Sequence, residues 1–280
     1  MTGSIPVTLP GGTWRNGARR RDATLRPLDG RDEMFLAEEA EGLSPARRTT
    51  ALLARCVERL GGDAVRADDV RALNAGDREA LLLHLRRATF GETMASVLHC
   101  PHPECGEAMD LELRVGDLLV HDGASAPVHE ATIEGHTVRF RLPNGADLEE
   151  AATLAAKDVR AAARHVLARC IESIDGAAPA SIPKHVAARL PERMSQLDPQ
   201  AELLLQLTCT KCARPFTAVF DTAAYLFREL GAQRDRLYRE IHELAFHYHW
   251  SESEILGMTA TRRRRYLTLL AEALAPRGKR

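Results

Sequence analysis

Apolar residues recur at helical spacing in the first third of the chain. Ser44 is an N-cap candidate with proline next to it at the first helical position, and the helix predicted from there ends at Gly61. The apolar positions of this helix are Leu52, Leu53, Cys56, Val57 and Leu60. They share one face, as in a helix that packs on a core. A second helix is predicted from Asp77 to Gly91, so we expect residues 31–91 to form an N-terminal helical domain.

Helical periodicity returns in two later segments. An alanine-rich pattern predicts helices across residues 146–200. Residues 221–280 are predicted to form a C-terminal helical domain that contains a helical hairpin. Within it, Ser251 and Glu254 have the spacing of a capping box, which predicts the start of a short helix. Helices therefore flank and interrupt the middle of the chain.

The pattern between these helical segments changes to strand-like alternation. Leu111, Leu113 and Val115 alternate with charged residues, as in a half-buried strand. Residues 132–140 predict a β-hairpin that turns near Gly135. The middle of the chain is therefore predicted to be rich in β-strands.

Two cysteine pairs interrupt the strand-like segments. Cys100 and Cys105 are separated by four residues, and Cys209 and Cys212 are separated by two. A tight turn that carries two thiolates supplies half of a tetrahedral zinc site, and two such turns complete it. We therefore predict one structural zinc ion per chain, bound by all four thiolates.

This zinc site organises the predicted fold. We expect an α+β, mostly helical fold in which residues 92–220 form a small zinc-ribbon-like β region with a helical insertion at 146–200. Free thiols, loss of the metal, and His102 as a ligand in place of one cysteine are alternatives. Redox chemistry by the second pair is disfavoured because such motifs normally open a helix, whereas Pro215 disfavours helix just behind this pair.

Residues 1–30 carry a run of arginines between segments rich in glycine and proline. Because glycine and proline punctuate the backbone, we predict an extended basic arm rather than a long regular element. Its candidate partner-binding residues are Trp14, Arg19, Arg20 and Arg21. Arginines bind phosphate, but Trp14 is the only aromatic residue among these arginines in the sequence. Docking on a partner protein or on the body of this protein is therefore the favoured interpretation.

A second candidate binding region lies at the end of a predicted C-terminal helix. Its residues are His247, Tyr248, His249 and Trp250. Tryptophan and tyrosine dominate the hot spots of protein interfaces, which favours a docking surface. The alternative is a hydrophobic corner that closes the helical hairpin.

Composition and motifs exclude several classes of function. The net charge is −1 and no apolar run approaches the roughly 20 residues that span a bilayer, so we expect a cytoplasmic protein without membrane contact. A phosphate-binding loop, a nucleophile elbow and a dinucleotide fingerprint are all missing from the sequence. His242 and His247 are five positions apart, which separates them by about 140° around a helix. We predict no enzymatic activity and no small-molecule substrate, and we interpret Cys56 and Cys170 as core residues.

Nucleic-acid binding is the alternative class of function. The last two predicted helices are compatible with a helix-turn-helix whose arginines 262–265 contact phosphates. A net charge near zero argues against this alternative, a zinc-containing nucleic-acid-binding regulator, so we expect nucleic acid not to be a partner.

Three stretches resemble the T-even-type phage baseplate family of hub assembly chaperones. They are residues 9–33, residues 70–78 with the helix and cysteine turn that follow them, and the second cysteine turn. Residues 240–266 resemble a small uncharacterised domain found in the same gene clusters. The resemblance implies a non-enzymatic structural or assembly protein of a contractile phage tail or a phage-tail-like injection system. It implies baseplate, hub, tube or spike proteins as partners, and it leaves open whether the protein stays in the assembled tail particle.

Overall fold

The computed structural model describes residues 3–275 of the chain. Helices hold 48% of the residues and strands 25%, which confirms the predicted α+β class, with more helix than strand. Residues 1–2 of the predicted arm and residues 276–280 of the predicted C-terminal domain lie outside the described residues. No helix within the described part combines the length and the apolar character that crossing a membrane requires.

The first part of the chain is a sheet with two helices, which we call the first module. Its elements are β1 (Ile5–Arg15), β2 (Ala18–Leu25), α1 (Gly30–Glu38), α2 (Pro45–Cys56), β3 (Val57–Leu60) and β4 (Asp63–Ala64). The strands form one antiparallel sheet in the order β1-β2-β3-β4. Leucines from the sheet and from both helices are fully buried against each other and form its core.

Residues 5–25 of the extended arm that was expected over residues 1–30 form the hairpin β1–β2 instead. Asn16 and Gly17 make its turn with φ of 51° and 74°, the left-handed conformation that matches the twist of hairpin strands. The glycines that suggested a loop lie at a bulge, where the register shifts between Thr8 and Thr13. Val7 and Leu9, apolar residues beside this shift, are buried.

A helical connection leads to the first cysteine hairpin. Its elements are α3 (Ala67–Ala72), α4 (Ala75–Phe90), β5 (Thr93–His99), β6 (Ala108–Arg114) and α5 (Val115–Leu118). Strands β5 and β6 pair only with each other and form a two-stranded sheet. The turn between them carries Cys100 and Cys105.

The next part of the chain has the same order of elements as the first module, and we call it the second module. Its elements are β7 (His129–Ile133), β8 (His136–Phe140), α6 (Gly145–Ala155), α7 (Val159–Cys170) and β9 (Ile171–Ile174). The hairpin turn at Gly135 is confirmed, because Ile133 pairs with His136. The segment expected as a helical insertion is not helical throughout, since β9 pairs with β8 in an antiparallel sheet of order β7-β8-β9.

The last part of the chain holds the second cysteine hairpin, one α-helix before it and four α-helices after it. Its elements are α8 (Lys184–Leu197), a 3-10 turn (Pro199–Ala201), β10 (Leu203–Thr208), β11 (Pro215–Phe220), α9 (Thr222–Gly231), α10 (Arg234–Tyr248), α11 (Glu252–Leu256) and α12 (Ala260–Leu274). Strands β10 and β11 form a separate two-stranded sheet. The single zinc-ribbon-like sheet that was expected is therefore two separate hairpins.

The two modules repeat one hydrogen-bonded arrangement. Leu53–Glu58 reads Leu-Ala-Arg-Cys-Val-Glu and Leu167–Glu172 reads Leu-Ala-Arg-Cys-Ile-Glu. In the first module, Asp32 accepts hydrogen bonds from Arg26 and Arg55, at 2.5–3.0 Å.

The second module reproduces this arrangement. Asp147 accepts hydrogen bonds from Arg141 and Arg169, at 2.5–2.9 Å. The backbone agrees as well, because Arg26 N–H donates to the Cys56 carbonyl and Arg141 N–H donates to the Cys170 carbonyl, each at 2.9 Å. Each module is followed by one cysteine hairpin and then a helix, so the chain is an internal duplication.

Each module also receives a helix pair from another part of the chain at the start of its first helix. The N–H of Gly145, which begins α6, donates to the Leu73 carbonyl between α3 and α4 at 3.2 Å. The N–H of Gly30, which begins α1, donates to the Met258 carbonyl between α11 and α12 at 3.1 Å. The C-terminal helix pair α11–α12 thus contacts the start of α1 in the first module, as the pair α3–α4 contacts the start of α6 in the second module.

Candidate metal centre

The cysteine turns have similar backbone geometry. The Cys100 N–H donates to the Glu107 carbonyl at 2.8 Å, and the Cys209 N–H donates to the Arg214 carbonyl at 3.1 Å. The residue after the second cysteine of each pair is left-handed, with φ of 58° at Gly106 and 56° at Ala213. This conformation closes each turn tightly, so both thiols of a pair point to the same side.

The four sulfur atoms converge although more than a hundred residues separate the two pairs. All four Sγ atoms of Cys100, Cys105, Cys209 and Cys212 lie within 4.8 Å of one another. The contacts between the turns are 3.8 Å for Cys100–Cys212 and 3.7 Å for Cys105–Cys209. Thiolates at about 2.3 Å from a tetrahedral zinc ion are about 3.8 Å apart. The donor set and its spacing therefore fit a tetrahedral metal ion.

The protein environment shifts the pKa values of two of the four thiols in opposite directions. Burial raises the pKa of the Cys100 thiol to about 12. A hydrogen bond from the Arg214 N–H lowers the pKa of Cys212 to about 6, against the effect of burial. One ligand is thus readily available as a thiolate, and a cation at the centre supplies the charge that the buried ligands need.

Charged side chains also connect the two turns. Lys211 Nζ lies 2.8 Å from Glu107 Oε2, and Arg214 lies 3.9 Å from Glu104. These pairs are exposed and contribute little stability individually. Their cationic members lie on the second turn and partly offset the negative charge of four thiolates.

Apolar packing holds the hairpins in place beside the cysteines. Met94 of β5 and Leu203 of β10 belong to one buried cluster with Leu83 of α4 and Tyr225 of α9. The Tyr225 hydroxyl donates to the Ala95 carbonyl at 2.9 Å, so the helix that follows the second hairpin packs on the first hairpin. Each duplicated unit consists of a module with the cysteine hairpin and the helix that follow it. The two units are therefore joined by contacts between α9 and β5 as well as by the cysteines.

Other candidate ligands lie outside the cluster. His102 contributes no atom to the four-sulfur group, and its Nε2 is buried without a hydrogen-bond partner among the described residues. Cys56 and Cys170 are fully buried in the two modules, as predicted for core residues, and burial raises the pKa of each thiol, to about 12 at Cys170. No disulfide is present within residues 3–275.

Two of the three arm arginines predicted to bind partners, Arg19 and Arg21, make hydrogen bonds within the chain. Arg19 donates to the carbonyls of Pro10 and Gly11, each at 2.6 Å, and Arg21 donates to the Leu9 carbonyl at 2.7 Å. These bonds hold the bulged part of β1. Trp14 is half-buried and lines a cavity of about 640 Å³ between the modules, and Arg20 is exposed.

The predicted C-terminal cluster is an aromatic stack between α10 and α12. Trp250 stacks on Tyr248 with ring centroids 4.6 Å apart, and its edge meets Tyr266 at 4.8 Å. Trp250 and Tyr248 remain half-buried, whereas His247 and His249 are exposed.

The sequence interpretation missed two features of these C-terminal helices. Phe246 on α10 is 68% exposed, and no motif indicated it. Arg263, in the centre of the arginine run, is 1% exposed and binds Glu240 and Glu33 at 2.8 and 2.7 Å. It is therefore not free to contact a nucleic-acid phosphate.

A comparison with protein families identifies the group to which the chain is related. The model of the family described as T4 bacteriophage base plate protein matches residues 21–228, which include both cysteine turns and both modules from β2 onward. The chain belongs to this family. No curated protein and no solved structure matches the chain. Helices α10–α12 lie beyond the matched residues.

Membership gives the chain a class of function. T4-type baseplate proteins are structural components of phage tails, which implies contact with other baseplate or tail proteins. The baseplate resemblance of the sequence is thereby confirmed. The four clustered cysteines are a possible metal site of this baseplate protein.

Proposed function

We propose that this baseplate protein is a non-enzymatic assembly or hub chaperone of a contractile phage tail or related injection system, with one structural zinc ion. Its role is docking with baseplate, hub, tube or spike proteins. The observation that carries the proposal is the meeting of Cys100, Cys105, Cys209 and Cys212 within 4.8 Å inside a chain of the baseplate family. A zinc ion there binds one hairpin from each duplicated unit and fixes their relative position.

The ion also suits a protein whose partners recognise a rigid surface. The modules rest on separate sheets and separate cores, so their orientation depends on the contacts between the units. An adaptor that holds its orientation before binding loses less conformational entropy when the partner docks. The zinc ion thus stabilises the binding-competent arrangement and takes no part in chemistry.

The aromatic stack at the end of α10 is the proposed docking surface. Trp250 and Tyr248 expose part of their rings beside the exposed Phe246, His247 and His249. Half-buried aromatic rings beside further exposed aromatic and histidine side chains have the composition of an interface hot spot. The arm residues Trp14, Arg19, Arg20 and Arg21 are proposed as a second contact region, with Arg20 the most accessible of the arginines.

Replacement of Trp250 by alanine tests the docking surface. We expect Trp250→Ala to weaken capture of co-expressed tail, hub or spike proteins by at least about tenfold, because hot-spot truncations cost about 2 kcal/mol or more. The fall in melting temperature should be small because the ring is only half-buried. Quantitative pull-down and thermal unfolding of the same preparations measure both effects. His185→Ala, which removes an exposed ring on α8, is the control. Capture unchanged by Trp250→Ala, or lost only in proportion to folding, would assign Trp250 to the hydrophobic corner.

A further inference from the structure

The internal duplication shows what covers one face of the first module. Helix α9 packs across α1 and α2, where Leu226 is fully buried in the same core as Leu36 and Ala40. Phe227 extends this contact, and the Arg48 guanidinium lies 4.7 Å above its ring. The first module therefore binds an amphipathic helix on this face.

In the second module α2 and α3 contact α6, but the positions that correspond to the covered residues of α1 are more exposed. Counting from the paired aspartates Asp32 and Asp147, Ala151 takes the place of Leu36, and Ala155 takes the place of Ala40. Both alanines are half-buried, whereas Leu36 and Ala40 are buried at 3% and 0% exposure.

Further exposed apolar residues lie on neighbouring turns of α6 and α7. We call this surface the alanine face, and its residues are Ala151, Leu154, Ala155, Val159 and Ala163. Ala151, Leu154 and Ala155 share one side of α6 at the i, i+3 and i+4 spacing, and Val159 and Ala163 are one turn apart on α7. Val159 is 71% exposed and Leu154 is 36% exposed.

The reason for the difference lies in the helices that follow the cysteine hairpins. In the second unit that helix is α9, with ten residues, and it reaches the first module. Its counterpart in the first unit is α5, with four residues, which are taken up by the cluster around Leu83. Helix α5 is too short to cover the second module, so the chain supplies only one of the two covering helices within residues 3–275.

The charged residues around the two faces differ. Beside the covered face, the exposed residues of α1 and its following loop include Glu38, Glu39 and Glu41, and the exposed basic residues nearby are Arg228 of α9 and Arg234 at the start of α10. Beside the alanine face, three exposed residues are basic and two, Glu150 and Asp158, are acidic.

The basic residues around the alanine face are Lys157, Arg160 and Arg164. Arg164 has an acidic neighbour, Asp158 at 3.8 Å, and both side chains are more than half exposed. A helix that matches this rim carries acidic residues beside its apolar stripe, since opposite charges at an interface rim select the partner.

We propose that the alanine face binds an amphipathic helix of a partner protein, with a leucine and phenylalanine stripe and acidic flanks. The small alanine side chains allow the backbone of that helix to approach closely, and Val159 and Leu154 supply the apolar contact at its end. This is the helix-in-groove mode of recognition, with α9 on the first module as its internal example. The proposal requires neither the zinc ion nor the docking role of Trp250.

A peptide based on α9 tests the proposal. The probe is a helix-stapled, fluorescein-labelled peptide with the sequence of residues 221–232 in which Arg228→Glu makes the flank acidic; stapling is needed because so short a helix is not stable alone. We expect fluorescence anisotropy to show saturable binding to the full-length protein. The unaltered peptide, which keeps Arg228, should bind at least about tenfold more weakly, and added salt should reduce the difference.

Two protein variants complete the test. Val159→Glu should weaken binding of the acidic peptide at least about tenfold. Because Val159 is 71% exposed, the melting temperature of this variant should stay close to that of the wild type. Val219→Glu on β11, at a position 63% exposed, is the matched control and should bind normally. Failure of the acidic peptide to bind, or equal binding by the Val159→Glu variant, would overturn the proposal. A dimer that sedimentation detects and Val159→Glu abolishes would also overturn it, because the face would then bind a second copy of the chain.

Discussion

Cys209→Ser should reduce the zinc content of the purified protein from about one ion per chain to about none. A serine hydroxyl does not replace a thiolate at this site, and the three remaining ligands, of which Cys105 and Cys212 are partly exposed, hold the ion weakly. Cys209 is 1% exposed and contacts Cys105 at 3.7 Å, so its loss opens the pairing between the two hairpins. Elemental analysis after dialysis measures the change.

The same substitution should lower the stability of the fold. The free energy of binding a structural metal is part of the free energy of folding, so we expect a loss of several kcal/mol. For a chain of this size each kcal/mol corresponds to roughly 2–4 °C in melting temperature. A chelator should lower the melting temperature of the wild type and leave that of Cys209→Ser unchanged.

His102→Ala is the matched control for the metal site. His102 lies in the first cysteine turn but contributes no atom to the four-sulfur group, so this variant should keep its zinc. Full zinc content in Cys209→Ser would remove the metal site from the proposal. Zinc lost equally from His102→Ala would make the histidine a ligand.

Asp32→Asn and Asp147→Asn should each destabilise the fold by about 2–4 kcal/mol, and by similar amounts. Each aspartate is fully buried and accepts hydrogen bonds from two arginines, which the neutral amide leaves without a counter-charge. The similarity of the two losses follows from the duplication. Urea unfolding at neutral pH measures both, and Asp122→Asn, at an exposed ion pair with Arg21, should change stability by less than about 1 kcal/mol.

The loss of stability caused by Asp147→Asn should decrease as the pH falls. Burial alone would raise the pKa of this carboxyl, but hydrogen bonds from Arg141 and Arg169 outweigh it and lower the pKa to about 2. The pKa of an aspartate in the unfolded chain is about 3.9. The carboxylate therefore stabilises the fold above that pH, and this contribution is lost as the pH falls towards 2. The stability difference between wild type and Asp147→Asn should therefore narrow between about pH 4 and about pH 2. A constant difference across this range would contradict the ion-pair origin of the effect.

Local patterns predicted the elements whose signals lie within a few neighbouring residues. The N-cap at Ser44, the turn at Gly135 and the capping box of Ser251 and Glu254 all occur as expected. In each case one short stretch contains both the hydrogen-bond donor and its acceptor. The pattern of apolar residues likewise predicted an α+β chain with more helix than strand.

The elements that the sequence pattern missed depend on distant pairing. Strand β9 continues the apolar periodicity of α7, and its four residues are a strand only because β8 lies beside them. The glycine-rich residues of β1 are ordered in a sheet because Asp77 of α4 accepts hydrogen bonds from Gly11 and Gly12 at 2.7 and 2.8 Å. The duplication was missed for a related reason, since the repeated segments are short and the sequence between them differs.

The sequence by itself determined the candidate metal ligands, because the spacing of two cysteine pairs in tight turns is a local property. It also determined the helices whose apolar stripes repeat every three to four residues. Only the tertiary structure decided that the two turns meet, that two modules share one arrangement of an aspartate between two arginines, and that corresponding helix positions in the two modules differ in exposure. These depend on contacts between residues far apart in the chain, where the free energy comes from packing and charge pairing that no short window of sequence contains.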